Sequence, residues 1–268
     1  MSGILTGPRA RVNVMPWEPV LVGRDPVVNG AIVTVGYSAS APRSILQRVP
    51  AIERHCLDRV GPARRCSFIA GRIALRAALT WVGKSSDGIG ISRLGAPQVP
   101  KGFVGSVSHS TGVAVAIAAR DFGYRVGIDI ERLDRWRPYL MARTLGEAEH
   151  LDCWSMPVGL RVPETAIRFS IKEAAFKAAS SLTSAALAYE DLEVTGVYSN
   201  TEGFRRAALE HSGTFAGLAM VGAVTVEGQF VIAVCGAKQN EGRRHSRAAW
   251  RAANLAHYFS GASEAHVR

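Results

Sequence analysis

The hydrophobic pattern of this 268-residue chain groups helices and strands separately instead of alternating them one by one. Apolar residues recur at helical spacing in residues 44–59 and 63–82. Three short apolar runs bounded by turn residues follow at 103–108, 113–119 and 125–131, and each is typical of a strand. A doubly wound parallel sheet needs strict alternation of the two elements. The segregation therefore predicts the α+β class.

The C-terminal part of the chain shows a similar order, with helices first and strands after them. A helix is predicted at 147–151 and a stronger one at 164–181, where Pro163 and Glu164 suit a helix N-terminus. Four strands are predicted after it, at 192–197, 204–209, 215–224 and 229–235. Residue identities show no internal repeat, so any similarity between the two parts has to come from the order of elements.

The chain is strongly basic, with 32 Lys and Arg against 22 Asp and Glu and a net charge of +10. A basic protein of this size usually meets an anionic partner, such as nucleic acid, a phosphorylated ligand or an acidic protein. A basic nucleic-acid-binding protein is thus one alternative. That class predicts aromatic-rich strands or a recognition motif interleaved with basic residues. Aromatic residues make up only 7% here, and the expected motifs are missing from the sequence, so we expect no nucleic-acid partner.

The cysteines and the apolar runs bear on the cellular compartment. The four cysteines are scattered, without the spacing of a zinc site, and are expected to be free thiols of a reducing compartment. No signal-peptide pattern is seen at the N-terminus. The longest apolar run, 113–119, is far shorter than the roughly 20 residues that span a bilayer. We expect a cytoplasmic protein without a membrane partner.

Two carboxylates stand on one face of the predicted strand at 125–131. Side chains alternate along a strand, so Asp129 and Glu131 point to the same side. A bound cation relieves the repulsion between them, and oxygen ligands suit Mg²⁺ or Mn²⁺. The alternative is a solvated strand end, with Glu131 pairing to Arg132 or Arg135.

The segment 169–177 carries two of the five lysines of the chain around one glutamate. Glu173 and Lys177 are four residues apart and share a helix face, with Lys172 about 100° around the helix from Glu173. The alternative to a functional role is a surface ion pair worth a few tenths of a kcal/mol. The flanking apolar residues favour a functional role, because the helix is not simply polar there.

Two further segments carry groups that bind phosphate. Ser108 and His109 lie at a strand end, in a turn that can hold a phosphate, although a lone histidine is more often structural. The helix at 63–82 carries several arginines, which form either a solvated basic face or a clamp for a phosphate monoester. They are Arg64, Arg65, Arg72 and Arg76.

Four motifs in this order resemble the 4′-phosphopantetheinyl transferases: Arg-Arg…Phe-Ile-Ala-Gly-Arg, Gly-Ser-Val-Ser-His-Ser, Gly-Ile-Asp-Ile-Glu and Phe-Ser-Ile-Lys-Glu-Ala-Ala-Phe-Lys-Ala. The similarity covers roughly residues 30–236 and is to the larger, monomeric type associated with siderophore, polyketide and nonribosomal peptide synthesis. The resemblance implies transfer of phosphopantetheine from coenzyme A to a serine of an apo acyl- or peptidyl-carrier protein, with release of 3′,5′-ADP. It also implies two similar α+β halves packed as a pseudo-dimer within one chain.

The resemblance further implies a role for each matching residue. It makes Asp129, Glu131 and Glu173 the ligands of Mg²⁺, with Mn²⁺ as the alternative ion, and Glu173 the base for the carrier serine. The resemblance also implies contacts to coenzyme A. The two lysines would lie at the diphosphate, and Ser108 and His109 would contact a phosphate of coenzyme A. Arg72, with either Arg64 or Arg65, would bind the 3′-phosphate. Of the last two, Arg65 is preferred. These contacts comprise Lys172, Lys177, Ser108, His109, Arg72, Arg64 and Arg65.

The motifs suggest how the chain divides. We expect an N-terminal extension at 1–30, an N-terminal half with the coenzyme A-binding helix at 31–125, and a C-terminal half with the metal site at 126–238. The remaining residues, 239–268, lie outside the resemblance and form a basic tail with the pattern of a possible amphipathic helix.

Overall fold

The computed structural model describes residues 16–92, 95–183, 187–199 and 204–240. In these residues the strands are β1 Pro19–Arg24, β2 Ala31–Gly36, β3 Gly90–Ile91, β4 Pro97–Gln98, β5 Phe103–Ser110, β6 Val113–Arg120, β7 Arg125–Arg132, β8 Leu192–Ser199, β9 Arg205–His211, β10 Leu218–Glu227 and β11 Phe230–Gln239. The α-helices are α1 Arg43–Gln47, α2 Ala51–Leu57, α3 Arg65–Trp81, α4 Met141–Thr144, α5 Glu147–Ser155 and α6 Val158–Ala179. Helices and strands are grouped, so the predicted α+β class is confirmed.

Each part of the chain builds one sheet against one long helix. The first sheet has the order β1-β2-β6-β5, and its hydrophobic core lies between the strands and α3. The second has the order β7-β11-β10-β9-β8, with its core against α6. Apolar residues of β5, β6, β7 and β11 join in a third core cluster. The two α+β halves are thus packed together through β5 and β7 rather than joined by a linker.

Glycines let the long helices approach the strands closely. A Cβ atom added at Gly127 in β7 would lie 1.9 Å from the carbonyl oxygen of Ala174 in α6. One added at Gly71 in α3 would lie 2.7 Å from Cγ1 of Val107 in β5. Both distances are too short for a real side chain. The strands that carry the predicted site residues are therefore held directly against α3 and α6.

A buried glutamate has the same structural task in each half. Glu53 of α2 forms an ion pair with Arg76 of α3 and accepts the backbone N–H of Ile89 at 3.0 Å. Glu149 of α5 forms an ion pair with Lys172 of α6 and accepts a backbone N–H of β8 at 2.9 Å. Each glutamate thus ties the long helix of its half to the segment that follows. This similarity is one of position and contact, which residue identities did not show.

Three elements differ from the sequence-based predictions. The single helix predicted at 44–59 is two helices, because Pro50 has the extended backbone angles of an N-terminal cap, with ψ of 152°. The helix predicted from residue 164 begins at Val158, and Pro163 lies within its first two turns. Strand β1 lies in the segment assigned to an N-terminal extension. A register shift between Leu21 and Gly23 interrupts its alternation, which hides the strand in the sequence.

The chain divides into two units close to the boundary predicted for the basic tail. Residues Met1–Lys238 form one compact unit and Gln239–Arg268 a second. The amphipathic helix predicted in the tail lies outside the described residues. Within the described parts of the chain, no helix is both long enough and apolar enough to cross a membrane.

Candidate active site

The candidate site lies where β5 meets β7. The backbone N–H of Ile128 in β7 donates to Ser106 Oγ in β5 at 3.2 Å, which fixes the two strands side by side. Two residues further along β5 and one residue further along β7, Ser108 Oγ donates to Asp129 Oδ1 at 2.8 Å. The segment Gly-Ser-Val-Ser-His-Ser of one half is therefore in direct contact with the Gly-Ile-Asp-Ile-Glu strand of the other.

Asp129 is the centre of this network and is only 4% exposed. Besides Ser108, its Oδ1 accepts a hydrogen bond from Lys177 Nζ at 2.7 Å, and its Oδ2 accepts one from Ser170 Oγ at 3.0 Å. Lys177 also donates to Ser108 Oγ and to the carbonyl oxygen of Ile128, at 2.9 and 3.0 Å. Helix α6 thus places one cation against the aspartate, and two serines donate hydrogen bonds to the same carboxylate.

Glu131 follows Asp129 on the same side of β7, as strand alternation predicted. Its Oε2 accepts a 3.4 Å hydrogen bond from Trp136 Nε1, and no described Lys, Arg or His forms an ion pair with it. Burial raises the pKa of the Glu131 carboxyl to about 7, and repulsion from Asp129 and Glu173 acts in the same direction. The predicted alternative, pairing with Arg132 or Arg135, is wrong for Arg132, which pairs with Asp134.

Glu173 lies on α6 with a partner that the sequence patterns did not predict. Its Oε1 accepts a hydrogen bond from the hydroxyl of Tyr189, and the surface ion pair with Lys177 does not form because Lys177 contacts Asp129. Burial, followed by the Glu173 hydrogen bond, raises the pKa of Tyr189, so the phenol keeps its proton. The repulsion that Glu131 experiences from Glu173 and Asp129 shows that the three carboxylates influence one another.

His109 and Arg64 form the other end of the site. Arg64 lies immediately before α3, and its Nη2 is 3.2 Å from His109 Nε2. Burial lowers the pKa of His109, and the positive charge of Arg64 lowers it further, so the imidazole is neutral at pH 7. Arg65, preferred from the sequence, instead lines a cleft of about 530 Å³ that contains none of the other predicted site residues. The structure therefore favours Arg64 as the arginine beside His109.

Arg72 is not presented to a ligand as the resemblance implied. The residue is 4% exposed, its Nη2 donates to the carbonyl oxygen of Gly90 at 3.3 Å, and its guanidinium carbon lies 4.6 Å from the ring centroid of Phe68. Burial lowers the pKa of Arg72, and its charged neighbours are Glu53 and Arg76 rather than Arg64 or His109. Arg72 thus lies on the packed face of α3, and its contact with the 3′-phosphate stays a prediction.

Lys172 is buried inside the C-terminal half. Its side chain is 1% exposed and forms an ion pair with Glu149, whose side chain is 2% exposed. Its Nζ lies 5.9 Å from the ring centroid of Tyr189. Since Lys172 is about 100° around the helix from Glu173, it faces the interior of the half. The ammonium group of Lys172 is thus paired with Glu149 inside this half, and its contact with the diphosphate stays a prediction.

Sequence patterns missed three members of the site: Ser170, Trp136 and Tyr189. Ser170 had a usable signal, because residues seven apart on a helix share a face and Lys177 is seven residues away. Trp136 and Tyr189 lie in short connecting segments without periodicity. Their approach to Glu131 and Glu173 depends on the tertiary fold.

The donors of the site suit a hard divalent cation. Within the described residues, no group of three or more His, Cys, Asp or Glu side chains lies in a metal-holding arrangement. However, Asp129, Glu131 and Glu173 supply oxygen donors only, and among the residues that the structure describes Lys177 is the one cation paired with any of them. Burial is the main cause of the raised pKa of Glu131, and repulsion from Asp129 adds to it. This donor chemistry fits Mg²⁺.

Comparison with known proteins identifies the family. Residues 52–119 match the 4′-phosphopantetheinyl transferase N-terminal domain, and residues 125–235 match the 4′-phosphopantetheinyl transferase superfamily. The chain is 34% identical over 152 residues to the 4′-phosphopantetheinyl transferase Npt of Nocardia iowensis, covering 53% of this chain and 64% of that protein. It is 35% identical over 129 residues to enterobactin synthase component D of Salmonella typhi, covering 46% and 52%.

Among solved structures, the chain is similar to Thermotoga maritima holo-[acyl-carrier-protein] synthase. The TM-score is 0.35 and the sequence identity 22%, and the match covers 47% of this chain and 72% of that one. A TM-score this low supports no conclusion about the site. The chain spans between half and two thirds of the two curated relatives. The turn between β6 and β7 separates the two family matches, and together they include every site residue described above. On these matches, the chain belongs to the 4′-phosphopantetheinyl transferase superfamily.

Proposed function

We propose that this protein transfers the 4′-phosphopantetheine group of coenzyme A to a serine of an apo acyl- or peptidyl-carrier protein and releases 3′,5′-ADP. The observation that carries the proposal is the convergence of Ser108 and His109 from one half with Asp129, Glu173 and Lys177 from the other. Family membership supports the reaction type, and relatives named for enterobactin synthesis and phosphopantetheinyl transfer support a role in secondary metabolism.

Coenzyme A would be bound by the positive end of the site. Arg64, whose Nη2 contacts His109 Nε2, offers hydrogen-bond donors for a phosphate monoester, and arginine binds such groups with two parallel hydrogen bonds. Lys177, whose side chain is 30% exposed, can place its charge beside the diphosphate. Ser108 connects these two regions through its contact with Lys177.

The carboxylates Asp129, Glu131 and Glu173 would hold Mg²⁺, and Mn²⁺ has the same preference for oxygen ligands. When bound, the ion offsets negative charge that develops on the diphosphate oxygens. Lys177 already balances one of the three carboxylates, which limits their mutual repulsion.

The protein residues would then carry the proton transfer. Glu173 accepts the proton of the carrier serine, because a neutral hydroxyl is a poor nucleophile. The serine oxygen forms a bond to the β-phosphorus of coenzyme A, and the bond from that phosphorus to the oxygen of the 3′,5′-ADP leaving group breaks. Lys177 offsets charge on the departing phosphate. The half-buried position of Glu173 leaves its carboxylate accessible to a protein substrate.

The charge of the chain supports the proposed partner. Carrier proteins are generally acidic around the modified serine, so a protein with net charge +10 gains association rate by electrostatic steering. We further propose that the enzyme acts as a monomer, because both halves of the site come from one chain. A cytoplasmic location is proposed as well, since all four cysteines are free thiols.

The proposal is tested by incubating the protein with coenzyme A, Mg²⁺ and a panel of apo carrier proteins, and recording the intact mass of each carrier. We expect at least one carrier to gain one phosphopantetheine group, and Asp129→Asn to slow this gain unless Mg²⁺ is raised. If the folded wild-type protein modifies no carrier but binds oligonucleotides at physiological salt, the alternative of a nucleic-acid-binding protein is favoured.

A further inference from the structure

Tyr189 contacts the carboxylate of Glu173 from outside the helix that carries it. Its hydroxyl donates to Glu173 Oε1, whereas Oε2 makes no hydrogen bond with the residues that the structure describes. We propose that Tyr189 is a positioning residue that fixes the Glu173 carboxylate and leaves Oε2 free for the carrier serine and the divalent cation. The proposal rests on the proposed function, because it concerns the group assigned to accept the proton.

The ring of Tyr189 is itself held on several sides. It stacks on Phe176 with a centroid distance of 4.4 Å and an interplanar angle of 27°, and on Phe169 at 6.3 Å and 19°. Phe176 in turn packs edge-on against the fully buried Phe215 at 5.1 Å. The ammonium group of Lys172 lies 5.9 Å from the tyrosine ring centroid. These contacts restrain the orientation of the Tyr189 ring and therefore the position of its hydroxyl oxygen.

Hydrogen bonds between Asp191 and Thr214 hold the backbone that carries Tyr189. Tyr189–Asp191 is a single 3₁₀ turn, and the Asp191 carboxylate accepts both the backbone N–H and the hydroxyl of Thr214 at 2.8 Å. The hydroxyl oxygen of Thr214 also accepts the backbone N–H of Ala188 at 3.1 Å. The turn is thus attached to a distant part of the second half. The backbone position of Tyr189 is therefore restrained where its hydroxyl donates to Glu173.

Glu173 needs such support because nothing else described restrains its carboxylate. It forms no ion pair among the described residues, and its side chain is half-buried on a helix surface. A free glutamate loses substantial rotamer entropy when it is ordered, and a misplaced base reacts slowly. A hydrogen bond from Tyr189 that is already made before the carrier binds lowers the entropy cost of ordering the Glu173 side chain.

The first test compares Tyr189→Phe, which keeps the stacked ring, with Tyr139→Phe, which removes the hydroxyl of a tyrosine that is 66% exposed. For Tyr189→Phe we expect kcat to fall about tenfold, equal to about 1.4 kcal/mol, with KM for coenzyme A changed less than about twofold. Binding of Mn²⁺, followed by electron paramagnetic resonance, should weaken several-fold. The Tyr139→Phe variant should match the wild-type protein in all three measurements. Unchanged Mn²⁺ affinity in Tyr189→Phe would overturn the proposal.

A second test places Tyr189→Phe in a Glu173→Gln background. If Tyr189 acts through Glu173, its loss has no further effect on kcat there, since residues that act as one unit are not additive. An equal fold-decrease in both backgrounds overturns the proposal. A wild-type protein that modifies no carrier contradicts the proposed function instead, while the Mn²⁺ measurement still decides the role of Tyr189.

Discussion

Replacing Lys172 by methionine should destabilise the protein strongly without affecting the binding of coenzyme A directly. The Lys172 and Glu149 side chains are 1% and 2% exposed, so the substitution leaves a carboxylate buried without its cation. Removing one partner of a buried pair costs about 3–5 kcal/mol. Two backbone N–H groups, of Gly146 and Val194, still donate to Glu149 at 2.9 Å, which favours the lower end of that range. This is a large fraction of the roughly 5–15 kcal/mol that stabilises a typical domain.

The assay is urea unfolding at pH 7.5, followed by KM for coenzyme A at a temperature where the variant remains folded. The matched control is Lys177→Met, which removes a partly exposed lysine of the same helix and should lower activity with a smaller loss of stability. The double variant Lys172→Met with Glu149→Gln should recover part of the stability, because the amide keeps an acceptor and removes the unpaired charge. A Lys172→Met protein of normal stability with a tenfold higher KM for coenzyme A would refute the structural assignment and restore a ligand-contact role.

Three further outcomes follow from the geometry. Arg64→Ala should raise KM for coenzyme A about tenfold and leave KM for dephospho-coenzyme A nearly unchanged, because a charged hydrogen bond to the 3′-phosphate is lost. Arg65→Ala should change neither KM. Equal losses for both substrates would contradict the assignment of Arg64. Because the pKa of Glu131 is raised from 4.5 to about 7, the metal-free protein should lose stability as pH rises through that interval. Mg²⁺ should therefore raise the thermal midpoint of unfolding more at pH 8 than at pH 5.5. Equal increases in the midpoint at the two pH values would contradict this. Gly127→Ala should cost about 3 kcal/mol in urea unfolding, since the new methyl group meets backbone of α6, and a loss below about 1 kcal/mol would show that the helix can shift.

Strand alternation and helix spacing predicted most of the elements that carry the site. The alternation in β7 correctly placed Asp129 and Glu131 on one side, and the strands from β5 to β7 and from β8 to β11 were predicted to within a few residues. Strand β1 was missed because its irregular register at Leu21 and Gly23 removes the period-two signal. The break at Pro50 was missed because apolar residues continue at helical spacing across it.

Helix spacing alone could not separate ligand-facing cations from buried ones. Lys172 and Lys177 have the same chemistry in the sequence, yet one is paired with Glu149 and the other with Asp129. Which side of α6 faces the interior depends on the contact of Gly127 with the helix, a long-range contact. The choice of Arg64 over Arg65 likewise depends on where His109 lies, which only the packing of β5 beside α3 determines.

The most direct measurement is the release of 3′,5′-ADP from coenzyme A in the presence of an apo carrier protein, quantified alongside the holo-carrier formed. We expect equal amounts of both products from the wild-type protein and neither product with a carrier whose acceptor serine is changed to alanine. In Glu173→Gln we expect the rate to fall by orders of magnitude. Release of 3′,5′-ADP without a carrier serine, or turnover by Glu173→Gln at the wild-type rate, would contradict the assignment of Glu173 as the base at a site shared by the two halves.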